Sequence, residues 1–257
     1  MKNKKVFIIS AFLVVLLAGL LIFFNTPYRK AGCLVNAIRK EDYDKVEELL
    51  NDGVDTNVTT ASDITEFILN LVESTGQRPL SVACEVGNLE IVKLLIDYGA
   101  TAESYDKCGW SPLRQTLFYY QPDDVEIVKL LLDNGADSDF EEDKLPVFAA
   151  ADMIPKVYDK NKTNGTVFLS EYDVESAKGI TEIVSILLDD KSVNIKTKLG
   201  ETLLIKAVKR ENIYLIEYLL VAGSEINSKD IYGKSAIDYA IELGNENIIS
   251  LLTQASS

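Results

Sequence analysis

The sequence predicts an all-α solenoid of about six helix–turn–helix repeats with hairpin loops, preceded by an N-terminal transmembrane helix. The first observation behind this prediction is a pattern that returns after 33 residues. Residues 76–80 (GQRPL) return at 109–113 (GWSPL), and residues 200–204 (GETLL) return at 233–237 (GKSAI). A fixed period in this range is typical of stacked supersecondary units that share one core. The second observation is a long apolar run near the N-terminus.

One copy of the pattern, residues 76–99, shows why each unit should contain two helices. Pro79 suits a first helical turn, where a missing N–H is tolerated, and Leu80, Ala83 and Cys84 would give that helix a small apolar face. The pair Gly87-Asn88 breaks the first helix. Residues 91–96 (IVKLLI) then predict a more apolar second helix, which Gly99 ends at the left-handed capping position.

The second-helix pattern occurs six times, near residues 46–50, 91–96, 127–132, 183–188, 215–220 and 248–252. With the Pro-Leu turns upstream, VKLLIDYGA at 92–100 and VKLLLDNGAD at 128–137 resemble ankyrin repeats. The resemblance implies a non-catalytic module that binds proteins through its hairpin tips and concave face. The histidine of the family turn is absent throughout, and Lys191 stands where the capping glycine belongs, so we expect a local adjustment there.

The domain boundaries follow from this spacing. Residues 1–28 would form a cytoplasmic tail, a transmembrane signal anchor and a linker, and residues 29–257 the repeat domain. The spacing from Gly53 to Gly99 exceeds the 33-residue period by 13 residues. This excess predicts an inserted amphipathic helix at about 60–74, which either extends the core or docks a partner. The spacing from Ala150 to Ala207 exceeds the period by 24 residues, which predicts an inserted loop or hairpin at about 152–178. A hairpin is favoured because Asn-Gly lies there between β-forming residues. That segment is either functional or disordered.

The apolar run, residues 6–24, contains Ser10 as its one polar member and is long enough to span a bilayer. Lys2, Lys4 and Lys5 precede it, so the positive-inside rule puts the N-terminus in the cytoplasm and the repeats in the periplasm or outside the cell. The alternative is a cleaved signal and a secreted protein.

Charge and composition limit the function. The chain has 40 acidic and 26 basic residues, a net charge of −14, and no histidine. Such a surface repels nucleic acid and fits either a solvated solenoid or a basic protein partner. Without histidine, a C-x-x-C pair, a P-loop or a dinucleotide fingerprint, we expect no enzyme, no metal, no cofactor and no small-molecule substrate.

Candidate partner-binding residues lie at hairpin tips, in the aromatic run 118–120 after a first helix, and in the acidic stretch 137–143. Aromatic side chains are favoured because binding hot spots are rich in them. The candidates are Tyr105, Trp110, Tyr119, Tyr120, Phe140, Glu141, Glu142, Tyr232 and Lys234. The predicted role is a tethered protein-binding module. The alternatives are an inhibitor or immunity-type factor for a secreted enzyme or toxin, and a structural subunit of a membrane complex.

Overall fold

A computed structural model describes residues 27–58, 77–106, 109–138, 145–158, 166–168, 174–189 and 191–255. The predicted transmembrane helix (6–24) and inserted helix (60–74) lie outside these residues. Within the described part of the chain, no helix is both long enough and apolar enough to cross a membrane.

The described residues form six repeats of two helices each. The first helices are α1 (Pro27–Arg39), α3 (Pro79–Val86), α5 (Pro112–Thr116), α7 (Pro146–Ala151), α9 (Leu203–Lys209) and α11 (Ala236–Leu243). The second helices are α2 (Tyr43–Asn51), α4 (Leu89–Asp97), α6 (Asp124–Asp133), α8 (Val174–Leu188), α10 (Ile213–Val221) and α12 (Glu246–Ala255). This architecture confirms the predicted helical repeat fold. The prediction of an all-α domain was wrong in one detail, because three short strands form a small sheet beside the helices.

The helices pack as two layers. Each first helix contacts the second helix of its own repeat and the first helix of the next, and the second helices stack in the same order. The core lies between the layers, where positions such as Leu80, Leu95 and Leu204 are completely buried. Each repeat therefore completes the core of its neighbours, as expected for a quasi-one-dimensional solenoid.

Side-chain caps determine where the helices begin. In repeats two, five and six, an asparagine precedes the second helix, and its Oδ1 accepts a hydrogen bond from a backbone N–H three residues on. The acceptors are Asn88 (from Ile91, 3.1 Å), Asn212 (from Leu215, 3.1 Å) and Asn245 (from Ile248, 3.2 Å). These contacts satisfy donors that the first helical turn leaves free, so the second helices of these three repeats start at equivalent positions.

The fourth repeat ends differently because Lys191 replaces the usual glycine. Asp189 adopts the left-handed conformation there, with φ of 35°. The Lys191 ammonium donates to the Leu187 carbonyl (3.3 Å) and to the Ser138 carbonyl (3.1 Å). The lysine side chain thus satisfies a helix-end carbonyl and ties repeat four to the loop of repeat three.

The inserted segment of repeat four contains a β-hairpin. Strand β1 (Tyr119–Tyr120) pairs in parallel with β2 (Ile154–Tyr158), and β2 pairs antiparallel with β3 (Thr166–Phe168). The end of the segment belongs to α8, where Ala177 is buried. The hairpin therefore lies against the end of the first helix of repeat three, next to the aromatic run found in the sequence.

Candidate protein-binding surface

One contact recurs along the first-helix side of the solenoid, which we call the inner face. The residue just before the helix N-cap contacts the residue eight positions later. In repeat two, Gln77 Nε2 donates to Glu85 Oε2 at 3.0 Å. In repeat six, Lys234 Nζ lies 2.5 Å from Glu242 Oε1. In repeat five, Lys209 pairs with Glu201. These inner-face pairs are polar, as suits a solvated surface.

The inner-face pair of repeat three is aromatic instead. The rings of Trp110 and Phe118 have centroids 5.4 Å apart and are tilted by 30°. Tyr119 extends the group, because its ring meets Phe118 edge-on at 4.8 Å. The Arg114 guanidinium lies 4.9 Å above the Trp110 ring. We call Trp110, Arg114, Phe118 and Tyr119 the aromatic cluster; its ring spacings are those of favourable aromatic pairs.

Local structure explains how the cluster forms. Helix α5 has five residues, so Phe118 leaves the helical path soon after Thr116. Trp110 is held at the other end, where its backbone N–H donates to Asp106 Oδ1 at 2.8 Å. Gly109, directly before Trp110, adopts the left-handed conformation with φ of 76°, which glycine tolerates without steric cost. Phe118 remains 47% exposed, so a large apolar ring faces solvent on the inner face.

Arg114 is electrostatically unusual. Its Nε is buried and has no hydrogen-bond partner in the described structure. Among the described residues, Arg114 joins no ion pair, and its contact is with the Trp110 ring. The buried Nε has lost its hydration without compensation. The two Nη groups are not buried and make no hydrogen bond in the described structure, so they are the part of the guanidinium that a carboxylate at the inner face can reach.

Charges in repeats four and five are mutually satisfied. Lys206 Nζ lies 2.5 Å from Asp152 Oδ2 and 3.5 Å from Glu201 Oε2. Burial by itself raises the pKa of Glu201, but the hydrogen bond from Lys209 and the charge of Lys206 outweigh it and lower that pKa. The carboxylate of Glu201 is therefore ionised at neutral pH and held by two lysines.

Repeat six contains a similar network at its hairpin. The Tyr239 hydroxyl donates to Asp230 Oδ2 at 2.6 Å, and the backbone N–H of Lys234 donates to Asp230 Oδ1 at 3.0 Å. Burial raises the pKa of Asp230, yet these hydrogen bonds lower it overall. Lys209 lies 4.1 Å above the Tyr239 ring. The predicted residue Lys234 is thus engaged within the chain.

The remaining candidates lie in different environments. Tyr232 is 69% exposed at the last hairpin tip, and Tyr105 is 39% exposed at the hairpin before Trp110. The structure does not bring Tyr120 to the surface: it is 6% exposed and its hydroxyl approaches Gly179 of α8. Phe140, Glu141 and Glu142 lie outside the described residues.

Two members of the aromatic cluster were not among the predicted binding residues. Phe118 belonged to the aromatic run seen in the sequence, and the eight-residue spacing from Trp110 was the signal that could have identified it. Arg114 carried no such signal, because its stacking on Trp110 appears only in three dimensions. Tyr105 and Tyr232 lie outside the cluster, so the structure gathers two of the predicted residues, Trp110 and Tyr119, at one place.

The described residues contain no group of three or more His, Cys, Asp or Glu side chains placed to hold a metal ion. The inner face offers aromatic surface, satisfied ion pairs, and the Arg114 guanidinium, which has no charged partner among the described residues. Such a surface is suited to contact with another protein, where aromatic residues and arginine dominate the binding energy.

Comparison with known proteins agrees with the architecture. The family model for ankyrin repeats (three copies) matches residues 34–142 and 174–257. A putative ankyrin repeat protein of Rickettsia felis is 31% identical over 115 residues, 42% of this chain and 50% of that protein. The human Notch-regulated ankyrin repeat-containing protein is 34% identical over 82 residues, 32% of this chain and 64% of that protein. The match thus spans half to two thirds of these relatives' length.

A similar fold occurs in the solved structure of the Bd0816 predatory endopeptidase from Bdellovibrio bacteriovorus in complex with the immunity protein Bd3460. The TM-score is 0.60 and the identity 23%, over 86% of this chain and 97% of the matched chain. At this identity the likeness concerns the fold alone. Because the family model covers most of the sequence and the described helices stack in the same repeats, this chain belongs to the ankyrin-repeat family.

Proposed function

We propose that this protein is a non-catalytic interaction module that binds a protein partner through its inner face, with the aromatic cluster at the centre of the contact. The main observation behind this proposal is that repeat three has an aromatic pair, half-buried Trp110 and exposed Phe118, where repeats two, five and six have polar pairs. An exposed ring in such a position stabilises a complex when it is covered, because apolar surface leaves water.

Site-specific photo-cross-linking tests this proposal. A benzophenone amino acid replaces Phe118 in the native host, and the matched control carries it at Val221, which is 90% exposed on the second-helix layer. We expect one dominant adduct from position 118 and none of the same mass from position 221. Adducts from position 221 alone, with position 118 silent, would place the binding surface elsewhere.

A second candidate function is that of an immunity-type inhibitor of a secreted enzyme. It is favoured by the fold match that spans 97% of a chain from the endopeptidase–immunity protein structure. The test measures the activity of purified peptidases encoded beside this gene, with and without this protein. Inhibition that disappears with Phe118→Ala would support the role of inhibitor. Binding without any change in peptidase activity would contradict that role and support an interaction module that does not inhibit.

We further propose a membrane tether formed by residues 6–24, with a cytoplasmic N-terminus and repeats in the periplasm or outside the cell. The apolar run and the lysines before it support this topology. A reporter enzyme active only outside the cytoplasm, fused after residue 257, should be active and should sediment with membranes. Activity in the soluble extracellular fraction would indicate cleavage instead.

The net charge of −14 supports a partner that is basic over its surface as a whole, because opposite charge speeds encounter.

Removal of residues 1–28 distinguishes an interaction module from a structural subunit that assembles through its membrane helix. The truncated protein should still give the adduct from position 118. Loss of the adduct on truncation would favour the structural role.

A further inference from the structure

We propose that Arg114 receives a side-chain carboxylate of the partner, while an apolar side chain next to that carboxylate packs on Phe118. This inference rests on the proposed function and specifies the partner's chemistry at the aromatic cluster. The partner would thus present an acidic residue beside an apolar one, whatever the charge on the rest of its surface.

The first argument is that Arg114 differs from other arginines of the domain. Arg39 donates to Gln77 Oε1 at 2.6 Å. Arg78 donates to the Asn57 carbonyl at 2.7 Å and to the Tyr105 carbonyl at 3.2 Å. Arg210 lies 3.6 Å from the Asp152 carboxylate. Among the described residues, the buried Nε of Arg114 has no acceptor at all.

The second argument is charge complementarity. The chain has 14 more acidic than basic residues, yet no described carboxylate forms an ion pair with Arg114. Because Nε is buried, the end of the Arg114 guanidinium formed by Nη1 and Nη2 is the edge left for a two-pronged contact with a carboxylate. An acidic side chain of the partner would supply acceptors for these two Nη groups.

The third argument concerns the source of the carboxylate. A chain terminus is usually captured by a nest of free backbone N–H groups. Here the N–H of Arg114 donates to Ser111 Oγ, and that of Gln115 donates to the Ser111 carbonyl. Since these nearby amides are occupied, the site is built from side chains and suits an Asp or Glu side chain.

The fourth argument is the arrangement of polar and apolar groups. The Trp110 ring contacts both groups: the Arg114 guanidinium carbon lies 4.9 Å from its centroid, and the centroid of the Phe118 ring lies 5.4 Å from it. Arg114 and the exposed Phe118 ring therefore share one neighbour, the Trp110 ring. Neighbouring acidic and apolar side chains on one partner segment would meet both groups together.

The experiment selects random linear peptides, displayed on phage, against the full-length protein in mild detergent. Peptides that bind wild type but not Phe118→Ala are synthesised, and Trp110, the single tryptophan of the chain, reports their binding by fluorescence. We expect these peptides to carry Asp or Glu beside an apolar residue. Changing that acid to its amide should weaken binding about ten-fold or more.

Protein variants complete the test. Arg114→Gln should weaken the binding of the acidic peptides by the same factor. The variant should also bind the acid and amide forms of each peptide with equal affinity. The matched control Arg39→Gln, whose guanidinium already has an acceptor within the chain, should bind as wild type does. If Arg114→Gln fails to fold, the peptide series on wild type still measures the same contact.

The outcomes separate the inference from the function beneath it. Peptides that depend on Phe118 but show no preference for an acid would overturn the carboxylate proposal and leave the inner-face module in place. If no selected peptide depends on Phe118, and position 118 also gives no cross-link, both proposals fail. An acid preference that persists in Arg114→Gln would assign the carboxylate to another residue.

Discussion

Replacing Gly179 by alanine should destabilise the repeat domain, although the same change usually strengthens a helix. Gly179 lies in the middle of α8, where Tyr120 packs against it. A Cβ at position 179 would lie 1.9 Å from the Tyr120 hydroxyl oxygen and 2.4 Å from the ring carbon that bears it. Tyr120 is 6% exposed, and its strand β1 is paired to β2, so the ring has little room to move.

Two opposing free energies set the magnitude. Alanine in place of glycine inside a helix gains about 1 kcal/mol in intrinsic propensity. Forcing extra volume into a packed site costs about 1–3 kcal/mol, and contacts this short place Gly179→Ala near the upper end of that range. We therefore expect a net loss of about 1–2 kcal/mol and a fall in Tm of about 3–6 °C.

The assay is urea unfolding followed by Trp110 fluorescence, together with thermal unfolding followed by circular dichroism. The matched control is Gly32→Ala, also inside a helix, where an added Cβ meets no atom within 4 Å. That variant should gain up to about 1 kcal/mol. The double variant Tyr120→Ala with Gly179→Ala should lose less than the sum of the single changes. Equal stabilisation by both glycine replacements would refute the close approach of Tyr120.

Three further predictions follow from the site and the core. Phe118→Ala should weaken partner binding about 50-fold in calorimetry, because roughly 95 Å² of exposed ring is worth about 2.4 kcal/mol when covered; Glu85→Ala, the control, should change affinity less than about three-fold. The pKa of Glu201 is lowered in the folded state, so its ionised form adds stability that is lost as the pH falls through that lowered pKa. In Glu201→Gln, the free energy of unfolding should therefore fall less steeply as the pH drops below about 4. An unchanged pH dependence would contradict the ion pairs of Glu201. Burial raises the pKa of the Cys84 thiol to about 12, so peptide mapping after iodoacetamide treatment should show the exposed Cys33 modified and Cys84 modified only with unfolding; rapid native labelling of Cys84 would contradict its burial.

Local sequence signals were sufficient for the repeat. Apolar spacing within nine or ten residues gives each second helix its buried stripe, as at Ile91 and Leu95. Capping residues such as Asn88 and Ser111 fix the helix starts through contacts three residues away. Because these interactions join residues close together in the sequence, the local sequence pattern is enough to predict them.

The binding surface depended on contacts that are distant in sequence. Tyr120 looked like a surface aromatic, yet it is buried because Gly179, 59 positions downstream, leaves room for its ring. The pairing of Tyr119 with Ile154 placed the inserted hairpin beside the aromatic cluster. No local sequence pattern encodes such contacts between segments that are far apart in the chain.

The sequence by itself determined the ankyrin-repeat fold, since a 33-residue period of apolar and turn residues can bury its helices only by stacking. The tertiary structure alone decided which exposed residues form one surface. It brought Phe118 onto Trp110, laid Arg114 over the indole and left its Nε without an acceptor among the described residues. The reason is physical: burial follows local periodicity, whereas a binding surface follows from the relative position of side chains after the repeats have stacked.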